Sequence, residues 1–200
     1  MKNKSRELEV AIKAALQAGK ILEKYFEGEI LRETKEDKSI VTRADRESED
    51  VIKKLISETY PDHSIWGEET GLTENGNEYK WHIDPLDGTR NFANGIPFFA
   101  VSIALQHEGE IIVGVVYNPA MKALFYAEKG KGAYWNKKRI FVSQEDEDKC
   151  IATVSSGRKI EDLKLRRGLM HDLPMAARGL SRREGRRCRA TAPRNSETQR

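Results

Sequence analysis

The sequence is poor in cysteine and has no long apolar run. Its two cysteines, Cys150 and Cys188, provide neither a disulfide framework nor the spacing of a metal site. No stretch is as long and apolar as a membrane span, and the opening M-K-N-K-S-R-E-L-E-V lacks the apolar run of a secretory signal. With 34% of its residues charged, the sequence predicts a polar cytoplasmic chain that has no membrane partner.

The basic residues are unevenly distributed. Residues 1–157 hold 22 Lys+Arg against 27 Asp+Glu, a net charge of −5, whereas residues 158–200 hold 13 against 5, a net charge of +8. The second segment has 11 of the 17 arginines, no aromatic residue and no sustained period of 2 or 3.6 residues. The composition predicts an ordered domain at 1–157 and a basic, Arg-rich tail at 158–200 that is disordered or poorly packed.

Hydrophobic periodicity predicts two helices followed by strands. Apolar residues recur at helical spacing over residues 5–26, and a second stripe runs from Ser48 to Ile56, with Thr42 or Asp45 as its expected cap. Residues 29–41 are typical of an exposed hairpin or loop. Extended runs follow at 64–66, 79–83, 100–106, 111–117 and 123–127. This order predicts an α+β layered fold, and we expect Trp66, Trp81 and Phe125 in its core.

Acidic residues recur at the ends of the predicted elements. They are Asp45, Glu68, Glu69, Asp84 and Asp87. Hard cations such as Mg²⁺ prefer carboxylate and carbonyl oxygens. In the stretch W-H-I-D-P-L-D-G-T-R-N-F, the fixed φ of Pro85 helps the chain to turn, so that both aspartates and the Leu86 carbonyl can face one point. No matching Cys/His set accompanies them, which argues against zinc.

A phosphate site is predicted beside these acids. Gly88 and Thr89 supply backbone N–H groups, and a helix beginning there could hold a phosphate at its N-terminus. A metal beside a phosphate is the arrangement used in metal-assisted phosphoester hydrolysis. Taken singly, each feature has a simpler interpretation: Asp-Gly-Thr as an ordinary turn, Glu68-Glu69 as a solvated pair, and Asp45 as a helix cap.

Taken together, the motifs resemble the inositol monophosphatase family, which are Mg²⁺-dependent, lithium-sensitive phosphatases. The motifs are G-E-E at 67–69, D-P-L-D-G-T-R-N-F at 84–92 and P-F-F-A-V-S-I-A-L at 97–105, with I-V-T-R-A-D at 40–45, G-V-V-Y-N-P at 114–119 and G-K-G-A-Y-W-N at 130–136. They stand in the family's order over about residues 5–145. The resemblance implies a layered αβαβα sandwich, of which this chain carries the N-terminal half.

The resemblance also implies a role for each motif residue. Glu68, Asp84 and the Leu86 carbonyl would hold one Mg²⁺, and Asp84 and Asp87 would share in holding a second. Glu69 would support this cluster through water or a more weakly bound ion. Asp45 and Thr89 would orient and deprotonate the attacking water. The Gly88 and Thr89 amides would bind the phosphate.

The second half of the family pattern is absent from this sequence. The resemblance implies a Trp-Asp motif whose aspartate completes the second metal site, yet no Trp-Asp occurs here and the last tryptophan is Trp135. Because charge and periodicity change abruptly near Ser156, a reading-frame shift between about Ser155 and Arg166 is an alternative explanation of the tail. We therefore expect reduced or absent activity.

Several functions remain open at this stage. The leading one is hydrolysis of inositol monophosphate; fructose 1,6-bisphosphate and histidinol phosphate are the substrates of related enzymes. The partner would be a small phosphorylated polyol or sugar, and the family implies a homodimer. A non-catalytic role is the alternative, in which the basic tail contacts RNA or another acidic partner of the transcription machinery.

Overall fold

The computed structural model describes residues 4–28, 32–34, 40–142 and 190–191. By its internal contacts the chain divides into two compact units, Met1–Ile140 and Phe141–Arg200. The first unit carries every motif described above.

Little of the second unit is described. Phe141 and Val142 pair antiparallel with Thr191 and Ala190, respectively. The prediction of a disordered or frame-shifted tail at 158–200 falls, apart from these two residues, outside the described residues.

Two long helices begin where the sequence places them. Helix α1 spans Arg6–Phe26, and the Ser5 side chain caps it by accepting a 3.2 Å hydrogen bond from the Leu8 amide. Helix α2 spans Arg43–Thr59, directly after a short strand, and Pro61 follows its end. A third helix, α3, is only Thr89–Ala93 and has Gly88 as its N-cap.

The strands form one small and one large sheet. In the small sheet β1 (Arg32–Thr34) pairs antiparallel with β2 (Ile40–Thr42), in the region predicted as a hairpin or loop. The strands of the large sheet are β3 (Ser64–Gly67), β4 (Gly71–Thr73), β5 (Tyr79–Asp87), β6 (Ala100–His107), β7 (Glu110–Asn118), β8 (Ala123–Glu128), β9 (Gly132–Trp135) and β10 (Lys138–Val142). A two-residue strand, β11, is Ala190–Thr191.

The large sheet is a meander with one parallel pair. Its order in the first unit is β10-β9-β8-β7-β6-β5-β3-β4. Only β3 and β5 run parallel, with Gly67 opposite Ile83; the other neighbours are antiparallel. Since the carboxyl ends of parallel strands lie at the same edge of a sheet, the residues that follow β3 lie beside the end of β5.

The helices cover one face of this sheet. Helix α1 packs against α2, β6 and β7, and α2 packs against β5. The buried cluster between them includes Leu22, Ile52, Trp81 and Phe92, none of which is exposed to solvent. Successive strand residues face opposite sides, so that Val115 is 1% exposed while Val116 is 42% exposed.

Some details differ from the sequence predictions. Strand β5 does not stop before the acidic motif but continues to Asp87, with an irregular register between Asp84 and Asp87 that accommodates Pro85. Trp66 was expected in the core, and this is wrong, because Trp66 is 52% exposed on β3. His63 is buried. The short strands β4, β9 and β10 were not predicted.

Candidate functional site

The site forms where β3 and β5 end side by side. Gly67 lies opposite Ile83 in the parallel pair, and the Glu68 amide donates a 3.1 Å hydrogen bond to the Ile83 carbonyl. This bond extends the pairing by one residue, and it places Glu68 next to Asp84. The two motifs G-E-E and D-P-L-D, separated by 14 residues in the sequence, are thereby joined at one sheet edge.

Asp84 is the electrostatic centre of this edge. Its half-buried carboxyl group forms a hydrogen bond with the Glu68 side chain, and Asp87 is close enough to add its negative charge. Burial first, then the Glu68 carboxylate and then Asp87 raise the pKa of Asp84 to about 8, while a 3.1 Å hydrogen bond from the Leu86 amide acts in the opposite direction. Carboxylates gathered in this way require a shared proton or a cation.

The donor set fits a hard cation. Glu68, Asp84 and Asp87 offer carboxylate oxygens, and the Leu86 carbonyl, between the aspartates, offers another oxygen ligand. The crowding of Glu68 and Asp87 around the half-buried carboxyl group of Asp84 is the observation that supports this fit. These residues are the ligands predicted from the sequence; the fold places the Glu68 side chain in hydrogen-bonding contact with Asp84 and brings Asp87 near enough to act on its charge.

Gly88 and Thr89 begin α3 directly after β5. Gly88 has a φ of 91°, and a Cβ there would lie 2.9 Å from the Phe98 carbonyl oxygen, so both conformation and space require glycine. The Thr89 hydroxyl donates a 3.0 Å hydrogen bond to the Leu86 carbonyl. The Thr89 side chain is thus tied to the same backbone oxygen that is predicted to face the cation.

Asp45 lies on a different element, helix α2. It is 3% exposed, in the first turn of α2. Helix α2 continues directly from β2, and β2 contacts α3, which begins at Thr89. The start of α2 therefore follows directly on a strand that contacts α3. Asp45 belongs to the helix as an internal residue rather than as its cap.

Glu49 is a buried acid that the sequence predictions missed. Its side chain is fully buried on α2 and accepts hydrogen bonds from the amides of Glu69 and Thr70, at 2.8 and 3.0 Å. A signal was available in the sequence: Glu49 lies on the apolar stripe of α2, three residues before Ile52 and seven before Ile56. An acid in that position needs buried hydrogen-bond donors.

A second acidic group lies at the opposite end of β5. Ligand atoms of Glu78, His107 and Glu108 lie within 4.8 Å of one another, a closer set than any other three such residues in the described part of the chain. Tyr79 pairs with His107, whereas Asp87 pairs with Ala100, so the length of β5, about 25 Å, separates the two groups. Both glutamates are exposed.

Comparisons with known proteins match most of this chain to one family. The model of the inositol monophosphatase family matches residues 3–187. A fructose-1,6-bisphosphatase/inositol-1-monophosphatase of Aquifex aeolicus is 45% identical over 157 residues, which cover 77% of this chain and 59% of that protein. A histidinol-phosphatase of Chlorobaculum parvum is 40% identical over 149 residues, 74% of this chain and 58% of that protein.

A solved structure supports the fold. The crystal structure of extragenic suppressor protein SuhB from Bartonella henselae has a TM-score of 0.68 at 38% identity, covering 70% of this chain and 56% of that one. The predicted fold class, an α+β sandwich of the inositol monophosphatase type, is confirmed. The chain spans about half the length of the curated relatives it matches. None of its described helices is long and apolar enough to cross a membrane.

Proposed function

The chain belongs to the inositol monophosphatase family, whose members are metal-dependent phosphatases, and on that basis we propose that it hydrolyses a phosphate monoester of a polyol or sugar. The observation that carries the proposal is the cluster of Glu68, Asp84 and Asp87 beside the start of α3. A cation site and a site for a phosphate adjoin there, as metal-assisted phosphoester hydrolysis requires.

We propose Mg²⁺ as the cation. Glu68, Asp84 and the Leu86 carbonyl would hold one ion, Asp84 and Asp87 would share a second, and Glu69 would support the cluster. When bound, Mg²⁺ lowers the pKa of water and offsets negative charge on the phosphoryl group. Lithium sensitivity is part of the proposal, since the family resemblance implies it.

The remaining residues would orient and deprotonate the attacking water and bind the phosphate. The Thr89 hydroxyl donates its proton to the Leu86 carbonyl, so its oxygen can accept a hydrogen bond from the attacking water. We assign proton removal from that water to Asp45 together with Thr89. The first amides of α3 have no acceptor within the helix, and those of Gly88 and Thr89 would bind the phosphate oxygens.

Inositol monophosphate is the substrate we propose first. The names of the relatives include fructose-1,6-bisphosphatase and histidinol-phosphatase, which makes those phosphates the alternatives. The chain has no Trp-Asp motif to complete a second metal site. We therefore expect slow turnover, with a rate set by the site on the first unit.

Phosphate release from inositol 1-phosphate tests the proposal. We expect Mg²⁺-dependent release that EDTA abolishes, lithium inhibits and Asp87→Asn removes. Glu110→Gln is the matched control, because Glu110 is exposed on β7 and pairs with Lys129 at the opposite end of the sheet. Release that persists in EDTA, or that survives Asp87→Asn, contradicts the assigned mechanism. The same assay with fructose 1,6-bisphosphate and histidinol phosphate ranks the substrates.

The basic tail supports a second candidate function. Residues 158–200 carry a net charge of +8, which favours RNA or another polyanion as a partner. We expect such binding to weaken steeply with salt and to disappear when residues 158–200 are removed. Binding that is unaffected by the deletion excludes the tail as the contact.

A further inference from the structure

Glu49 is a charged side chain with no exposure to solvent. It lies on α2 between Ser48 and Ile52, both of which are also fully buried. Burying a carboxylate is strongly unfavourable unless hydrogen bonds replace those it made with water. What Glu49 contacts therefore indicates why the fold tolerates it.

Its hydrogen-bond donors lie in the turn that follows β3. The Glu69 amide donates to Glu49 Oε2 at 2.8 Å, and the Thr70 amide donates to Oε1 at 3.0 Å. The Thr70 hydroxyl makes a further short hydrogen bond with Oε1, and Lys53 Nζ lies 2.7 Å from that hydroxyl oxygen. Both carboxylate oxygens of Glu49 therefore accept hydrogen bonds from the four-residue turn Gly67–Thr70.

Gly67, the first residue of this turn, lies directly against the same carboxylate. A Cβ on Gly67 would lie 2.6 Å from Glu49 Cδ, closer than real Cβ atoms approach a neighbour. Glycine at this position lets the carboxylate reach the main chain. The start of the turn, at Gly67, and its end, at Thr70, are both held against Glu49.

Glu68 lies between these two points. Its amide is bonded to the Ile83 carbonyl, and its side chain is hydrogen-bonded to Asp84. Its own side chain is exposed, so packing does not fix its direction. The backbone around it is fixed on one side by β5 and on the other by Glu49.

We propose that Glu49 is a positioning residue, which orients the Gly67–Thr70 turn so that Glu68 meets Asp84. The inference rests on the proposed function, because it assigns Glu49 a role in the cation site formed by Glu68 and Asp84. Glu49 itself contacts neither the cation nor the substrate. Groups that orient metal ligands in this way typically change metal affinity about 10- to 100-fold when they are replaced.

Two measurements on the purified chain test this role. Hydrogen exchange reports whether the Glu69 and Thr70 amides are held, and calorimetric titration with Mn²⁺ reports metal affinity without substrate. The variants are Glu49→Gln, which keeps the size but places an amide against the amide donors, and Thr70→Val, which removes one donor from an exposed residue. Glu58→Gln is the matched control, since Glu58 is an exposed glutamate on the same helix.

For Glu49→Gln we expect the Glu69 and Thr70 amides to exchange at least about tenfold faster and Mn²⁺ affinity to fall about 10-fold or more. Thr70→Val, which leaves the buried core intact, should weaken Mn²⁺ binding by about 3- to 10-fold. Exchange at Val113 and Val115, in the core of β7, should not change in Thr70→Val or in Glu58→Gln.

Two results would overturn the proposal, and they differ from each other. If the unsubstituted chain binds Mn²⁺ and both variants bind it equally well, Glu49 has no positioning role although the site exists. If the unsubstituted chain binds no Mn²⁺, the cation site itself is wrong, and the role of Glu49 falls with it. If Glu49→Gln does not fold, Thr70→Val decides the question alone.

Discussion

The indole nitrogen of Trp81 donates a 3.1 Å hydrogen bond to Nδ1 of His63 inside the core. Since the indole can only donate, the imidazole must accept, and its proton resides on Nε2. The ring is stacked between Tyr60 and Tyr79, with centroid distances of 4.5 and 4.6 Å. The neutral imidazole is therefore the form that this packing requires.

This relationship predicts a loss of stability in mild acid. Burial lowers the pKa of His63 below its ordinary 6.5; Glu7 and Asp62 oppose the shift, and His107 adds to it. The unfolded chain then binds the proton more readily than the folded one. The contribution of His63 to the free energy of unfolding is therefore fully present above pH 6.5, and it is lost as the pH falls through the pKa of the folded state.

Urea unfolding between pH 5 and 8 checks this prediction. His63→Phe should flatten the acid side of the profile, at the cost of an unpaired Trp81 N–H. An unchanged acid limb in His63→Phe contradicts the assignment.

Gly88→Ala should be more damaging than an equally strained substitution elsewhere. Gly88 and Gly109 have similar positive φ values, 91° and 82°, but only Gly88 has a neighbour, the Phe98 carbonyl, in the way of a Cβ. Left-handed backbone alone costs about 1–2 kcal/mol for alanine. In urea unfolding, we expect Gly109→Ala to lower the free energy of unfolding by that amount and Gly88→Ala to lower it measurably more. Gly88→Ala should also lose phosphatase activity. Equal losses would show that the close approach is not required.

The hydroxyl of Thr89 should matter for turnover and not for folding. Thr89→Val removes the group that is bonded to the Leu86 carbonyl, and we expect kcat to fall about 100-fold or more, with partial recovery in Thr89→Ser. Thr59→Val is the control, because the Thr59 hydroxyl also donates to a backbone carbonyl, that of Leu55, at the end of α2. A rate in Thr89→Val equal to that of the control removes Thr89 from the mechanism.

Metal binding should release a proton. Because the pKa of Asp84 is raised to about 8 in the metal-free chain, a cation must displace a proton from it below that pH. Apparent Mn²⁺ affinity should therefore rise between pH 6 and 8, by up to about tenfold per unit, and level off above pH 8. Calorimetry in buffers of different ionisation enthalpy measures the released proton directly. An affinity that is independent of pH over this range contradicts the prediction.

The sequence predicts the structure best where a hydrophobic pattern continues over many residues. Helices α1 and α2 and strands β6 to β8 follow from sustained apolar spacing, and the acids of the site follow from motifs at element ends. The exposure of Trp66 could not be read from its type, because in β3 the neighbouring Ile65 takes the buried side. The continuation of β5 through Pro85 depends on an irregular register with β6, a contact that lies outside the local sequence.

The contacts of Glu49 could not be predicted from the sequence for a different reason. Its position on an apolar stripe could have been noticed, but its partners lie 20 and 21 residues away, across the connection between α2 and β3. Only the packing of α2 against β5 and the turn beside it reveals what the buried acid binds.

The most direct test of the central claim is calorimetric titration of Mg²⁺ into the purified chain and two variants. Asp84→Asn changes the centre of the proposed site, and Glu108→Gln changes the acidic group at the opposite end of β5. We predict that Asp84→Asn abolishes Mg²⁺ binding and that Glu108→Gln leaves it unchanged. Binding that survives Asp84→Asn and is lost in Glu108→Gln would contradict the account.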